Sequence, residues 1–178
     1  ERLEEMIARI QNGSLRMSES EAVAIAAQLY GSGRYKQAEN VCRQIINLKP
    51  SIAEAHSILG ITLHAQGKAK ESIASLKRAV KLEPKNASFR SNLGEIQRQN
   101  GHLADAIVAL QEAIDLDPAN AQAYNNLGIT RFDSSNYKEA AECYRKAIEL
   151  EPNFPEAYNN LGNALRRSGD IDGAIDAY

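Results

Sequence analysis

Asparagine recurs at an interval of 34 residues as Asn92, Asn126 and Asn160, with Asn125 and Asn159 one place earlier and Glu95 and Asn163 three places later. A carboxamide both donates and accepts, so a row of them can hydrogen-bond the backbone of an extended peptide without demanding a particular sequence. The other reactive side chains do not assemble into a site. His56 and His64 are eight residues apart, about 12 Å along a helix at 1.5 Å per residue, too far to share a metal without further ligands. His102 stands in a different repeat, and there is no H-E-x-x-H or paired-cysteine spacing. Gly60 to Lys68 has six residues between its glycines where a phosphate loop has four. No nucleophile and base can be paired, so no catalytic residue, metal or cofactor is expected.

The interval that spaces the asparagines runs through the whole chain. Ala123 to Gly128 returns unchanged as Ala157 to Gly162. Counting Ala121 as position 1, position 8 reads Ala26, Gly60, Gly94, Gly128, Gly162, and position 20 reads Ala38, Ser72, Ala106, Ala140, Ala174. Position 32 reads Pro50, Pro84, Pro118, Pro152. A fixed period decides the architecture before any local reading does. Apolar residues at helical spacing fill positions 3 to 13 and again 18 to 31. Gly33, Gly67, Gly101, Ser135 and Gly169 at position 15 mark the left-handed end of the first helix, and the proline cannot continue the second. Each repeat is therefore a helix, a tight turn and a helix that must stack on its neighbours. The expected helices lie near 20–32, 36–49, 54–66, 70–83, 88–100, 104–117, 122–134, 138–151, 156–168 and 172–178.

This pattern resembles the tetratricopeptide repeat, W-x2-L-G-x2-Y, then A-x3-F, then P, on a period of 34. Leu127-Gly128, Ala140 with Tyr144, and Pro152 match it, while Tyr124 and Tyr158 replace the Trp and Gln97 and Arg131 depart at the Tyr column, where looser packing is expected. The resemblance covers residues 19 to 178 and implies an all-α fold, a right-handed α-α superhelix or TPR solenoid. Its repeats are 19–52, 53–86, 87–120, 121–154 and a truncated 155–178. Residues 1–18 are expected to form an amphipathic capping helix, with Leu3, Met6, Ile7 and Ile10 on one face, and a turn. Ser18 and Glu21 have the spacing of a capping box.

Composition sets limits on partners. Lys and Arg number 21 against 23 Asp and Glu, a net charge of −2, which speaks against nucleic acid. The basic excess of repeat two, Lys68 to Lys85, reads as a solvated face, because the family's second helices lie on the convex side. No apolar run reaches the roughly 20 residues that span a bilayer, so membrane insertion is not expected. Cys42 and Cys143, in different repeats, read as buried small hydrophobes and favour a reducing, cytoplasmic setting. Asn12-Gly13-Ser14 and Asn86-Ala87-Ser88 read as turn chemistry. Because the last repeat stops partway along its second helix, more repeats are expected beyond Tyr178. Self-association is expected through that truncated C-terminal end, where Ala174 and Ile175 would lack a covering neighbour.

By resemblance, the first helices line a concave groove, with positions 2, 5, 6, 9, 12 and 13 pointing into it. The expected peptide-binding residues are accordingly Asn92, Asn126, Asn160, Asn125, Asn159, Asn163 and Glu95. The alternative is that asparagine at position 6 bonds a neighbouring helix. The lysines of the family's carboxylate-clamp co-chaperones are missing, since position 5 reads Val23, Ser57, Ser91, Asn125, Asn159. The expected function is a scaffold that binds a protein or extended peptide. The alternative is the substrate-recruiting arm of a larger enzyme, because the A-Y-x-N-L-G units resemble those of the O-linked N-acetylglucosamine transferases.

Overall fold

The computed structural model describes residues 18–178. Ten helices form among them: α1 (Glu19–Gly31), α2 (Tyr35–Leu48), α3 (Ala53–Ala65), α4 (Ala69–Leu82), α5 (Ala87–Gln99), α6 (Leu103–Leu116), α7 (Ala121–Asp133), α8 (Tyr137–Leu150), α9 (Pro155–Ser168) and α10 (Ile171–Ala177). Each boundary lies within one residue of the expected one, Pro84 and Pro118 fall between helices, and the described residues contain no strand. The helix expected over 1–11 lies outside the described residues.

Local chemistry explains the boundaries. Ser18 and Glu21 form the capping box: the Glu21 amide donates to Ser18 Oγ at 3.3 Å, and the Ser18 amide to Glu21 Oε2 at 2.8 Å. Asn86 and Asn120 cap α5 and α7 by accepting from the amides of Phe89 (3.3 Å) and Ala123 (3.0 Å). Within every repeat the turn closes alike. The amides of Arg34, Lys68, His102, Asn136 and Asp170 each donate, at 2.9 Å, to the carbonyl five residues back. That closure needs a left-handed residue at position 15, and Ser135 adopts φ 63° where the other repeats have glycine.

The glycines of position 8 serve a different purpose. A Cβ on Gly60 would lie 2.5 Å from Leu76 Cγ, on Gly94 2.6 Å from Leu110 Cγ, and on Gly128 2.5 Å from the Tyr144 ring. These partners are one column, position 24, which reads Cys42, Leu76, Leu110, Tyr144, Tyr178. Where position 8 gains a methyl in Ala26, position 24 shrinks to Cys42, and both sit in one core cluster at 0% exposure. Glycine inside a helix costs about 1 kcal/mol against alanine, whereas fully burying a Leu-sized side chain contributes about 1.5–3 kcal/mol, so the exchange favours the fold.

The chain divides into two compact units, Glu1–Lys85 and Asn86–Tyr178. In the N-terminal unit, α1 and α2, α2 and α3, and α3 and α4 pack as neighbours, and α1 also meets α3. Ile25, Leu29, Val41, Ile45, Leu59 and Leu63 form its core. In the C-terminal unit each helix from α5 to α10 packs on the next, while first helices meet directly as α5 with α7 and α7 with α9. Leu110, Ile114, Ala123 and Leu127 form one cluster there, and Tyr144, Leu161, Ala164, Leu165 and Ala174 belong to another. Ala174 is therefore not on an open face as expected. At 3% exposure it fills the small-residue slot against its own repeat's first helix. Ile171, Ile175 and Tyr178 are the exposed apolar residues of that end.

Candidate functional site

The direct meeting of α5, α7 and α9 places one face of three first helices side by side. Position 6 brings Asn92, Asn126 and Asn160 onto it, each half-buried. Asn92 lies within α5, and its carboxamide makes no hydrogen bond among the described residues. Asn126 accepts on Oδ1 from Gln122 Nε2 at 2.9 Å, and its Nδ2 stays uncommitted. Asn160 donates from Nδ2 to Asn125 Oδ1 at 3.1 Å, keeping its own carbonyl oxygen available.

Position 5 divides. Asn159 is exposed, but Asn125 is at 0% exposure and turned into the packing between α7 and α9. Its Nδ2 donates to Glu156 Oε1 at 3.2 Å while its Oδ1 accepts from Asn160. A side chain so placed presents nothing to solvent; it holds the half-buried Asn160 in position. The cause is the helix itself, in which adjacent residues point about 100° apart. Asn163 accepts from the Tyr178 hydroxyl at 2.9 Å. Glu95 is spent on its own helix, accepting from Arg98 Nη2 at 2.8 Å and from Gln99 Nε2 at 2.5 Å.

Two polar pairings at positions 12 and 13 were not anticipated. Arg98 Nη1 bonds Asp133 Oδ2 at 2.8 Å, joining α5 to the end of α7. The bonds to Glu95 and then to Asp133 outweigh partial burial and push the Arg98 guanidinium further into its charged form. Arg167 Nη2 donates to Tyr137 Oη at 2.8 Å, and its guanidinium carbon lies 5.1 Å from the Tyr137 ring centroid. Phe132 meets that ring edge-on at 5.1 Å between centroids. The Tyr137 hydroxyl is lowered from its ordinary range by its bond to Ser135 and then by Arg167. Position 12 holds Arg98 and position 13 holds Asp133 and Arg167, so these charges at the ends of the first helices were there to be noticed.

At position 6 the N-terminal unit is apolar, with Ala24 and Ile58. A cleft of about 540 Å³ there mixes Val23, Ala24 and Ile52 with Ser20, Ser51 and Glu54, and the Glu19–Lys49 ion pair (2.6 Å) also lines it. On the second-helix side of this unit, Glu39 accepts from Lys68 Nζ and Gln66 Nε2 of the next repeat, both at 2.8 Å, and from Arg43 Nη2 at 2.9 Å. Burial alone would raise its carboxyl, but these three bonds outweigh it and hold the pKa at about 2. Position 21 otherwise reads Ile73, Ile107, Ala141, Ile175, so a charge in an apolar column was the overlooked signal.

His56 donates from Nε2 to the Pro50 carbonyl at 3.0 Å, and Gln97, buried at the departing Tyr column, leaves its Oε1 without a partner. Cys42 and Cys143 are both free thiols raised by burial, Cys42 to about 12. Among the described residues no helix is long and apolar enough to cross a membrane, and no three His, Cys, Asp or Glu side chains gather as metal ligands.

Comparison with known proteins places these features in a family. The sequence profile of the TPR repeat matches residues 62–101, 94–134 and 130–169, which together span more than half of the chain. No curated protein matches significantly. Among solved structures, MamA is 29% identical, the match covering 86% of this chain and 90% of that one with a TM-score of 0.78. The pilF protein of Pseudomonas aeruginosa is 21% identical over 90% of this chain and 73% of its own, with a TM-score of 0.83. YrrB, described as a TPR protein with an unusual peptide-binding site, is 18% identical over 99% and 89% of the two chains, with a TM-score of 0.74. The chain belongs to the tetratricopeptide repeat (TPR) family.

Proposed function

We propose that this chain is a protein-binding scaffold whose C-terminal unit holds an extended peptide along the first-helix face of α5, α7 and α9. The supporting observation is the register of Asn92, Asn126 and Asn160, each half-buried and each with part of its carboxamide uncommitted. Peptide main chain offers a donor and an acceptor at every residue, the complement of such a row. Asn159 and Asn163 flank the row, and Asn125 fixes Asn160 from behind. Glu95, paired with Arg98, shapes the edge rather than reading the backbone. The arm-of-an-enzyme alternative rests on the spelling of Ala123–Gly128 and Ala157–Gly162 alone, and the groove would act identically in either setting. Self-association through Ile171, Ile175 and Tyr178 belongs to the same proposal as a secondary contact.

The test is the triple replacement Asn92→Ala, Asn126→Ala, Asn160→Ala, assayed against a pool of random decapeptides by equilibrium dialysis and against heat by circular dichroism. Each lost bond between neutral groups costs about 0.5–1.5 kcal/mol, so binding should weaken roughly tenfold or more at a nearly unchanged melting temperature. Early melting would instead show that the row holds repeats together, and unchanged binding would place the peptide elsewhere.

A further inference from the structure

The second-helix side of the N-terminal unit carries a cleft of about 490 Å³ between α2, α3 and α4. Its apolar lining includes Ile46 and Leu59, and its polar lining includes Arg43, His56, Ser75 and Arg78, with no acidic residue among them. Two register comparisons explain why it is open and why it is positive. Position 4 holds a tyrosine in repeats four and five, Tyr124 and Tyr158, but the smaller His56 here. The His56 ring is also tied to the Pro50 carbonyl, and it does not fill the space a phenol would. Position 26 faces position 4 within a repeat. In repeat three those positions hold Glu112 and Arg90, which form an ion pair. In repeat two they hold Arg78 and His56, so the cation lacks its acid, and Arg78 makes no ion pair among the described residues.

Arg43 completes the arrangement. Glu39 and Glu71 hold its Nε and Nη2 at 2.9–3.1 Å, which fixes the guanidinium plane and leaves Nη1 uncommitted. Two guanidinium groups over an apolar floor, with one plane already fixed, recognise a carboxylate beside an aliphatic group at little cost in side-chain ordering.

We propose that this cleft docks an acidic peptide segment of a partner protein, one carboxylate bridging Arg43 and Arg78 and a neighbouring aliphatic side chain resting on Ile46 and Leu59. The site is separate from the asparagine row, so a partner engaging both gains from linkage. A basic second-helix face otherwise reads as solvated; the missing acid at position 26 and the open position 4 give it a ligand-shaped feature.

The experiment uses a fluorescein-labelled Gly/Ser decapeptide carrying Leu-Glu-Leu-Asp at its centre, titrated by anisotropy, beside the same peptide with Leu-Gln-Leu-Asn. Both peptides can reach the asparagine row through their backbones, so the acidic peptide is expected to bind about tenfold tighter than the neutral one. Arg78→Gln removes a charged partner and His56→Tyr fills the space, and each should abolish that tenfold preference, while the triple asparagine variant keeps it. Arg78 is exposed, so its replacement leaves the fold intact. Equal binding of the two peptides, or a preference for the acidic one that both Arg78→Gln and His56→Tyr leave intact, would overturn the proposal. So would inorganic phosphate moving the Arg43 and Arg78 side-chain resonances while the peptide leaves them unmoved, which would assign a free-anion site.

Discussion

The two compact units join successive repeats with different polar chemistry. In the N-terminal unit the join is ionic: Glu39 on α2 gathers Gln66 and Lys68 from the turn of the next repeat, while Arg43 reaches on to Glu71 of α4. In the C-terminal unit Arg98 and Asp133 tie α5 to α7, but the join of α7 to α9 is neutral at its centre: Asn125 on α7 accepts from Asn160 on α9, and only its outer bond ends on a charge, Glu156. The ionic join lies between a second helix and a turn, away from the first-helix face. The carboxamide join lies between first helices, directly behind the asparagine row. A neutral centre makes this α7–α9 contact less sensitive to pH and salt than an ion pair would be, because nothing at that centre titrates or is screened. The charged join tolerates no such indifference.

Breaking the carboxamide join should give the largest effect. Asn125→Leu keeps the branched outline and heavy-atom count and deletes both bonds at a fully buried site, leaving Asn160 and Glu156 without that partner. A loss of about 2 kcal/mol is expected in urea unfolding, with faster amide exchange concentrated in α7 and α9. A change below a few tenths of a kcal/mol would mean that water replaces the bonds freely.

Acid should separate the joins next. The Glu39 carboxyl has an ordinary pKa of 4.5 and about 2 in the fold, so the unfolded chain takes up its proton first as pH falls. Its stabilisation is complete above pH 4.5 and declines as pH falls towards about 2. Glu39→Gln should flatten that part of the stability profile of the N-terminal unit, whereas Asn125→Leu should shift the profile of the C-terminal unit without changing its slope there. Identical acid slopes for Glu39→Gln and the parent chain would remove Glu39 from the account.

Salt gives a smaller separation. Lys68 and Arg43 are 39% and 47% exposed at the side chain, so the ionic join is partly screened. Raising ionic strength should cost the N-terminal unit no more than about 1 kcal/mol and leave the Asn125 coupling to Asn160, measured by double-mutant cycle, unchanged.

The smallest effect concerns one hydroxyl that the two units treat differently. At position 10, Thr130 donates to the Asn126 carbonyl at 2.8 Å, whereas buried Thr62 finds no partner. Thr62→Val should be neutral or stabilising by up to about 1 kcal/mol, and Thr130→Val should not stabilise, as read by denaturant midpoints.

Much of this was legible in the sequence because the repeat supplies its own alignment. Glycine, alanine and proline columns locate every helix among the described residues to within a residue, and the asparagine column picks out Asn92, Asn126 and Asn160 on one face. Two things were not legible. Asn125 and Asn126 differ by one step of helix rotation, and which of them turns inward depends on how closely α9 approaches α7, which no column reports. Glu39 finds its partners 27 and 29 residues onward, in a turn whose side chains change with each repeat. The clue, a carboxylate among isoleucines at position 21, gains meaning only once Gln66 and Lys68 stand beside it. Asn86, read as turn chemistry, is the N-cap of α5.

The asparagine row is tested most directly by the side-chain amide spectrum of the C-terminal unit during titration with the random decapeptide pool. The NH2 resonances of Asn92, Asn126 and Asn160 should move together and saturate, while those of buried Asn125 stay nearly fixed. Saturable binding that leaves these three carboxamides unmoved, or that moves Asn125 most, would contradict the assignment of this face as the peptide site.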